Sequence, residues 1–358
     1  MLDSFHRKGK IPVGILGATG SVGQRFIELL ANHPWFEIAV VAASERSAGK
    51  RYGEAVKWLM ASPLPKKIAS LEVKSCEAPM DCPLVFSALD ASIAGDIETH
   101  FANAGHLVVT NARSHRMDAD IPLLVPEVNA THLCLLDAQK FSKGKIIANP
   151  NCSAIGLSIA LKPLHERFGI EKVNVVTMQA LSGAGYPGVP SMDILDNVIP
   201  FIAGEEQKLE TEPLKILGTY SEKGVLSAPI SISAHCNRVS VTDGHMECVS
   251  IKLKHHVSEA DIVDAWKHFT SEPQSLNLPL APINPIHYFE EEQFPQPKLH
   301  RTLDKGMAVA IGRLRKCSLF DYKFTILSHN TIRGAAGGAI LCAELLVNKS
   351  SEFRTSLL

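Results

Sequence analysis

The chain has 358 residues, of which 46% are hydrophobic and 20% charged, and its formal net charge is −1. This length allows two domains, and this composition is typical of globular proteins. The charge creates no strong field toward nucleic acid, and no apolar run approaches the roughly 18 residues of a membrane span. We therefore expect neither nucleic acid nor a membrane as a partner.

The eight cysteines are scattered and form no CxxC pair. A chain of this length does not need a disulfide framework, so they are interpreted as reduced thiols. The charged N-terminal stretch is followed only by a short apolar segment interrupted by glycines, which does not resemble an export signal. We expect a cytoplasmic location, and no metal site is predicted.

Short apolar strands alternate with a helical spacing over the first 150 residues. This order is typical of βαβ units, which form a parallel sheet. The predicted strands are residues 13–16, 37–43, 84–87, 107–110 and one ending at Ala148, and the predicted helices are residues 21–32 and 96–104.

A glycine-rich turn, GATGSVG, lies between the first strand and the first helix. Glycines allow a tight turn and the close approach of a pyrophosphate, which the N–H groups of the helix N-terminus can hold. The spacing is GxxGxxG rather than GxGxxG, and a purely structural turn is the alternative, but the βαβ context favours dinucleotide binding. The residues predicted to bind the dinucleotide here are Gly17, Thr19, Gly20, Ser21, Val22 and Gly23.

Cofactor choice is expected to depend on the turn after the second strand. Glu45 favours NAD, because an acidic residue there bonds the ribose hydroxyls. Arg46, flanked by the hydroxyls of Ser44 and Ser47 and with Lys50 nearby, instead offers a site for the extra phosphate of NADP. The alternative is that these charged residues belong to a solvated loop without a ligand. We predict NADP as the cofactor, with Ser44, Arg46 and Ser47 as ligands.

The pattern changes after residue 150. Longer strand candidates at 173–180, 231–241 and 245–253, with a helix at 258–270, predict a mixed or antiparallel sheet in a second domain. Prolines are dense from 273 to 297, which indicates a long connection. An apolar helix is predicted at 335–347, and the polar tail 348–358 has no helical periodicity, so we expect it to fray.

Cys152 lies in the run NPNCS, between the strand ending at Ala148 and a helical stretch beginning near Ala154. The positive end of a helix lowers a thiol pKa and favours the thiolate, although a buried structural thiol is the alternative. Joined to a nicotinamide domain, such a thiolate would add to an aldehyde, lose hydride to NADP and leave a thioester open to phosphate, water or a thiol.

An ordered set of motifs resembles the aspartate-semialdehyde dehydrogenase family, in the branch found in archaea and fungi. The resemblance covers about residues 13–346, and the ordered set is far more specific than any one motif. The motifs are GATGSVGQ (17–24), NPNCS (149–153), LSGAG (181–185), GEEQK (204–208), NRVSVTDGH (237–245), PQP (295–297), GMAVAIGRLR (306–315) and NTIRGAAGGA (330–339).

The resemblance implies an α/β fold with two domains. The first would be a Rossmann-like NADP-binding domain, residues 1–150, completed by a C-terminal helix at 330–358. The second, residues 151–329, would be an α+β catalytic and dimerisation domain with a mixed sheet. A homodimer or homotetramer is implied as well.

The resemblance also implies roles for the reacting groups. Cys152 would form the acyl thioester, and Gln179 would help to position nucleophile and substrate. His245 would be the acid/base, for which its near-neutral pKa is suited, although a lone histidine in a strand is more often structural.

Recognition of an amino-acid aldehyde requires both signs of charge. The resemblance implies that Arg238 binds the α-carboxylate, Glu205 the α-ammonium and Lys208 the phosphate. Glu205 and Lys208 could instead be an ordinary i,i+3 ion pair.

The remaining implied ligands lie elsewhere in the chain. Arg116 matches the phosphate-binding arginine of the family, with Arg113 as a competing candidate, and Asn111 closes the preceding strand at the cofactor edge. The residues implied around the nicotinamide or its ribose are Ser87, Ser182, Gly183 and Asn330.

The implied activity is the NADPH-dependent reductive dephosphorylation of 4-aspartyl phosphate to L-aspartate 4-semialdehyde and phosphate. This reaction would precede the biosynthesis of lysine, methionine and threonine. His245 would protonate the collapsing oxyanion. One alternative is a related malonyl-CoA reductase, whose substrate has no ammonium for Glu205. The other is a non-catalytic NADP-binding regulator, which would need no nucleophile.

Overall fold

The computed structural model of the chain describes residues 9–222 and 224–349. These residues form two compact units. The first contains residues 9–122, 133–149 and 339–349, and the second contains residues 123–132, 150–222 and 224–338. Each unit is therefore assembled from separate pieces of the chain.

The first unit is built on a six-stranded sheet. Its strands are β1 (Ile11–Leu16), β2 (Phe36–Ala43), β3 (Val73–Ser75), β4 (Leu84–Ser87), β5 (Leu107–Thr110) and β6 (Lys145–Ala148). They lie in the order β3-β2-β1-β4-β5-β6, and every neighbouring pair is parallel. All residues of β4 and β5 are buried, as expected where both faces of a parallel sheet are covered. The predicted parallel sheet is confirmed.

Four helices follow strands of this sheet: α1 (Ser21–Leu30), α2 (Tyr52–Ala55), α3 (Lys66–Ala69) and α4 (Ala91–Asn103). Helix α4 begins five residues earlier than the predicted start at residue 96. The reason is a cap, because the Asp90 carboxylate accepts a 2.9 Å hydrogen bond from the N–H of Ser92 and satisfies an otherwise unpaired donor.

The second unit contains a mixed six-stranded sheet and a two-stranded one. Its strands are β7 (Ile170–Gln179), β8 (Thr219–Ser221), β9 (Gly224–Leu226), β10 (Ser231–Arg238), β11 (His245–Leu253), β12 (Ile286–Phe289), β13 (Val309–Lys316) and β14 (Tyr322–Ser328). The large sheet has the order β10-β7-β11-β14-β13-β12. The β10/β7 and β12/β13 pairs are parallel and the others antiparallel, so the predicted mixed sheet is confirmed.

The helices after β5 are α5 (Pro126–Asn129), α6 (Cys152–Phe168), α7 (Ser191–Ile194), α8 (Glu205–Ile216), α9 (Glu259–Lys267), α10 (Glu272–Ser275), α11 (Pro297–His300) and α12 (Gly337–Lys349). Helix α6 is largely buried. It approaches β14 so closely that a Cβ on Gly156 would lie 2.7 Å from Oγ of Ser328. Among the described residues, no helix combines the length and apolar character that crossing a membrane requires.

Several other predicted segments differ from the structure. The proline-dense stretch 273–297 is not a plain connection, because it contains α10 and β12, which pairs with β13. The predicted strand 231–241 ends at Arg238. Helix α12 runs through Asn348 to Lys349, so these two residues of the predicted tail are helical, and residues 350–358 lie outside the described part of the chain.

The C-terminal part of α12 joins the first unit through a buried contact. Nε2 of His33 lies 2.7 Å from Oε1 of Glu344, and Nδ1 of His33 accepts hydrogen bonds from the N–H groups of Trp35 and Phe36. These acceptor bonds place the proton of the neutral ring on Nε2, facing the carboxylate. Burial, and then the charge of Lys10, lower the pKa of His33 to about 3.

Candidate functional site

In the first unit, the glycine-rich turn connects β1 to α1. Gly17 has φ +74°, and a Cβ there would lie 2.6 Å from the carbonyl oxygen of Ala88. A Cβ on Gly23 would lie 2.2 Å from the oxygen of Gly17. Helix α1 starts after Gly20 and has no side-chain cap. The turn therefore has the close packing and the uncapped helix N-terminus that suit a bound pyrophosphate.

The predicted phosphate-selecting residues lie on a tight turn at the end of β2. The carbonyl oxygen of Ser44 accepts hydrogen bonds from the N–H groups of Ser47 and Ala48, at 2.9 and 3.2 Å. The side chains of Ser44 and Arg46 are exposed. An anion could therefore reach both hydroxyl and guanidinium donors here.

Ser87, Asn111 and Arg116, predicted from separate motifs, meet at the carboxyl ends of β4 and β5. The N–H of Asn111 donates to the oxygen of Ser87 (3.1 Å), and Nη2 of Arg116 donates to the oxygen of Asn111 (2.8 Å). Arg116 is buried and Arg113 is exposed. Ser87 is buried, and its hydroxyl points inward and donates to Glu98 at 2.6 Å.

In the second unit, Cys152 is the first residue of α6. The N-cap is Asn151, whose Oδ1 accepts hydrogen bonds from the N–H groups of Ser153 and Ala154, at 3.0 and 3.2 Å. A Cβ on Gly334 would lie 2.7 Å from Cβ of Cys152. The thiol is thus fixed at the positive end of a 17-residue helix by a capping residue and by a close backbone contact.

Strand register brings Arg238, Gln179, His245 and Ser328 together. Arg238 is opposite Gln179, and His245 is opposite Ser328. Met246 is opposite Met178, so His245 and Gln179 are the next residues of β11 and β7. Paired residues project to the same face of a sheet, and all four side chains are buried. This row is linked to the start of α6 through Glu205, whose Oε2 accepts hydrogen bonds from Gln179 and from Asn151, the residue before Cys152.

The hydrogen bond of His245 defines its tautomer. Nδ1 accepts a 3.0 Å hydrogen bond from the N–H of Ala180, which assigns the proton of the neutral ring to Nε2. Burial, and then the positive charge of Arg238, lower the pKa of His245 to about 3. Nε2 has no hydrogen-bond partner among the described residues. His245 is therefore a neutral imidazole with an available Nε2–H donor.

Glu205 connects the start of α8 to the start of α6. Its Oε2 accepts hydrogen bonds from Asn151 (2.8 Å) and Gln179 (3.3 Å), and its Oε1 from Lys208 (2.5 Å). Burial favours a higher pKa for Glu205, but Lys208 and these hydrogen bonds lower it below its usual value. The i,i+3 pair is therefore no ordinary surface ion pair, because Glu205 is buried and shared with two further residues.

The remaining predicted residues form a clamp beside His245. Asn330 Nδ2 donates to Oγ of Ser182 (2.8 Å), and Asn330 Oδ1 accepts from the N–H of Gly244 (2.8 Å). A Cβ on Gly183 would lie 2.9 Å from Nη1 of Arg238 and 3.1 Å from Cε1 of His245. A side chain at position 183 would therefore press on both groups.

Sequence reasoning missed three contributions to this cluster. Asn151 stands in the NPNCS motif, and its preference for the N-cap position is a signal that was available. Gly334 had no comparable signal, because its role depends on a contact with Cys152 that is distant in sequence. Arg333 beside it forms a buried two-bond pair with Glu127, at 2.7 and 2.5 Å, which anchors the turn that carries Gly334.

The second-unit cluster combines a helix-end thiol with a buried guanidinium, a neutral imidazole donor and a paired carboxylate. A thiol in this setting can act as a nucleophile. The Nε2–H of His245 can stabilise negative charge on a substrate oxygen. Arg238 and Glu205 can bind groups of opposite charge. The arrangement is suited to acyl transfer through a thioester on a small zwitterionic substrate.

Two family models match the chain. "Semialdehyde dehydrogenase, NAD binding domain" matches residues 12–136, and "Semialdehyde dehydrogenase, dimerisation domain" matches residues 161–333. The aspartate-semialdehyde dehydrogenase of Schizosaccharomyces pombe is 48% identical over 349 residues, which is 94% of this chain and 98% of that protein. The enzyme of the same name from Archaeoglobus fulgidus is 47% identical over 341 residues, with the same coverage.

A solved structure gives the same result. The crystal structure of aspartate-semialdehyde dehydrogenase with NADP from Candida albicans superposes with a TM-score of 0.87 at 42% sequence identity. The match covers 94% of this chain and 98% of that chain. The fold, with its N-terminal nucleotide-binding and C-terminal dimerisation parts, is therefore that of these enzymes.

Proposed function

Because the chain belongs to the aspartate-semialdehyde dehydrogenase family, we propose that it converts 4-aspartyl phosphate and NADPH to L-aspartate 4-semialdehyde, NADP and phosphate. The observation that carries the proposal is the placement of Cys152 at the capped start of α6, which Glu205 connects to Gln179. The product would feed lysine, methionine and threonine biosynthesis. The names of the relatives favour this activity over malonyl-CoA reduction.

We propose that Cys152 attacks the acyl phosphate as a thiolate. The new C–S bond replaces the C–O bond to phosphate, which leaves with the bonding electron pair. The N-terminus of α6 and the charge of Arg238 stabilise the thiolate. His245 is not required as the base for this step, because its Nδ1 is occupied by the Ala180 N–H and its Nε2 carries the proton.

His245 acts instead on the carbonyl oxygen of the acyl group. Its Nε2–H donates a hydrogen bond to the oxyanion that forms in each addition step. Collapse of the oxyanion expels the Cys152 thiolate and gives the aldehyde without a net proton transfer at that oxygen. The role of His245 in this proposal is therefore that of a fixed hydrogen-bond donor, which is narrower than the predicted acid/base role.

The glycine turn and the Ser44–Ser47 turn fit NADP. The uncapped α1 N-terminus suits the pyrophosphate, and exposed Arg46 suits the additional phosphate. When bound, NADPH supplies the hydride that reduces the thioester. Gly17 and Gly23 permit the close backbone approach, and Ser87, at the end of β4, is a further predicted ligand.

The charged groups account for the substrate. The Arg238 guanidinium binds the α-carboxylate. One of its N–H groups donates to the Ala180 oxygen at 2.7 Å, and the others are left for the substrate. Glu205, held by Lys208, attracts the α-ammonium, and Lys208 and Arg116 serve as phosphate ligands. Gln179 orients Glu205, and Asn330 with Ser182 and Gly183 keeps the turn beside His245 in place.

A homodimer or homotetramer formed through residues 161–333 is part of the proposal. Exposed apolar side chains are concentrated between residues 186 and 201 of this segment, and such a patch favours association. They are Tyr186, Met192, Leu195, Val198 and Phe201. Light scattering on the purified protein measures the assembly.

None of the eight cysteines, all in the described part of the chain, forms a disulfide, which supports a reducing cytoplasmic location.

Mass spectrometry of the trapped acyl enzyme tests the function. Incubation with L-aspartate 4-semialdehyde and NADP, without phosphate, should leave an acyl adduct on Cys152, and phosphate should discharge it. Cys317→Ser should retain the adduct and turnover, and Cys152→Ser should lose both. An adduct on another cysteine, or turnover with malonyl-CoA but not with the semialdehyde, would contradict the proposal.

A further inference from the structure

Glu98 is a buried carboxylate beneath the carboxyl ends of β4 and β5. It lies on α4 and is 0% exposed. Its Oε1 accepts hydrogen bonds from Oγ of Ser87 and Oγ of Thr110, both at 2.6 Å. Because Ser87 is the last residue of β4 and Thr110 the last of β5, one oxygen atom fixes two strand ends at the same point.

The second oxygen of Glu98 faces the loop that carries Arg116. Oε2 lies 3.7 Å from Nε2 of His115, whose Nδ1 in turn lies 2.9 Å from Oδ2 of Asp118. Burial raises the pKa of Glu98, while the two hydroxyl donors and the charges of His115 and Arg116 oppose this rise. The carboxyl group thus interacts with three separate segments of the first unit.

Each of these segments carries a predicted ligand. Ser87, a predicted cofactor ligand, ends β4, and its hydroxyl is committed to Glu98. Thr110 precedes Asn111 and accepts a 2.9 Å hydrogen bond from the N–H of Ala112, which shapes the turn after β5. Arg116 is anchored on the Asn111 oxygen. A displacement of Glu98 would therefore move all three ligand positions together.

We propose that Glu98 is a positioning residue, which holds the end of β4 at Ser87, a predicted cofactor ligand, and the loop of the phosphate ligand Arg116 in place through a single shared carboxylate. This inference rests on the proposed function for the identity of the phosphate substrate. It does not require Glu98 to touch either ligand. Glu98 lies in neither the glycine turn nor any motif that the family resemblance singles out.

The substitutions Glu98→Leu and Glu98→Gln test the proposal. Leucine removes the oxygen that accepts from both hydroxyl groups, and we expect the KM for phosphate in the aldehyde-oxidising direction to rise about 10-fold, with kcat changed by less than about 3-fold. The Kd for NADP, measured by calorimetry, should rise about 5-fold or more. Glutamine keeps an oxygen acceptor for Ser87 and Thr110, so it should restore the Kd and KM to within about 3-fold of the parent.

Asp96→Asn is the matched control, because it removes a charge from the exposed face of the same helix and should change neither constant. A Glu98→Leu protein that is merely less stable to urea, with unchanged Kd and KM, overturns the proposal. So does a glutamine variant as impaired as the leucine variant. If the parent enzyme showed no phosphate-dependent turnover, the proposed function would fail, and the NADP titration would still decide the role of Glu98.

Discussion

The backbone N–H of Ala180 donates a 3.0 Å hydrogen bond to Nδ1 of His245. Ala180 directly follows Gln179, and its own oxygen accepts from Nη1 of Arg238 at 2.7 Å. One peptide segment therefore fixes the tautomer of the imidazole and the orientation of the guanidinium. Protonation of Nδ1 would break this buried hydrogen bond. The loss of a buried hydrogen bond costs about 1 to 3 kcal/mol.

The first prediction concerns what His245 supplies. If it is a fixed Nε2–H donor, His245→Gln should retain part of the activity, because the glutamine amide can place an N–H near the same position. His245→Ala should lose about 100- to 1,000-fold in kcat, as expected for removal of an oxyanion donor. Steady-state assays of both variants make the comparison. Equal losses in the two variants would show that proton transfer, and not donation alone, is required.

The second prediction concerns acid stability. The folded-state pKa of His33 is lowered to about 3, so between that pH and the unfolded value of 6.5 the unfolded chain binds the extra proton. Stability is complete above pH 6.5 and falls as the pH decreases toward 3. At pH 5 the loss from one such histidine is about 2 kcal/mol, and the lowered pKa of His245 acts in the same direction.

Urea unfolding at pH 7 and pH 5 measures this effect. His33→Gln should be less stable than the parent at pH 7 but should lose about 2 kcal/mol less on acidification. His255→Gln, at an exposed position, should lose as much unfolding free energy on acidification as the parent does. Identical losses in the parent and the His33 variant would rule out His33 as a source of the acid sensitivity.

Several parts of the fold could be predicted because they depend on local patterns. The strands at 84–87, 107–110 and 245–253 were predicted with the bounds that the structure has, since apolar runs between turn residues mark buried strands. Strands β12 to β14 were not predicted. The register that aligns Arg238 with Gln179 was also inaccessible, because it is set by pairing between distant segments.

The candidate site divides in the same way. Cys152 at a helix start and the glycine turn are local features with a physical signal in the sequence. The roles of Gln179, Glu205 and Arg238 came only from the family resemblance and stay predictions, as does the division into residues 1–150 with 330–358 and residues 151–329. The tautomer of His245 required the structure, because a backbone donor 65 residues away in sequence cannot be inferred from motif spacing.

The third prediction concerns cofactor selectivity. Arg46→Ala should weaken NADP by about 10- to 100-fold, the value of one hydrogen bond to a charged group, and should change NAD binding by less than about 3-fold. Fluorescence titration with both nucleotides makes the measurement. Lys66→Ala, which removes an exposed charge elsewhere in the same unit, should change neither. Equal weakening of NADP and NAD by Arg46→Ala would place the additional phosphate elsewhere.

The fourth prediction concerns the cap of the catalytic helix. Asn151→Ala removes the acceptor of two α6 N–H groups and should cost about 1 kcal/mol of unfolding free energy. It should also slow alkylation of Cys152 by iodoacetamide, because a frayed first turn stabilises the thiolate less. Asn151→Ser keeps a cap acceptor but lacks the side-chain amide that donates to Glu205, so it should recover most of the stability. If serine recovered none of it, the cap would not be the source of the loss.

The fifth prediction concerns the contact between Gly334 and Cys152. A methyl group on Gly334 would lie 2.7 Å from Cβ and 3.0 Å from Cα of Cys152, so either α6 or the turn at 332–336 must shift. Because that turn is anchored by the buried Arg333–Glu127 pair, we expect the thiol to be displaced.

Gly334→Ala should lower kcat about 100-fold, as a misplacement near 1 Å does, while the NADP Kd stays within about 3-fold of the parent. Gly95→Ala, whose methyl group would meet only the Ser114 side chain at 3.3 Å, is the control and should keep the kcat of the parent. Full turnover by Gly334→Ala would mean that the position of Cys152 is set by its cap alone.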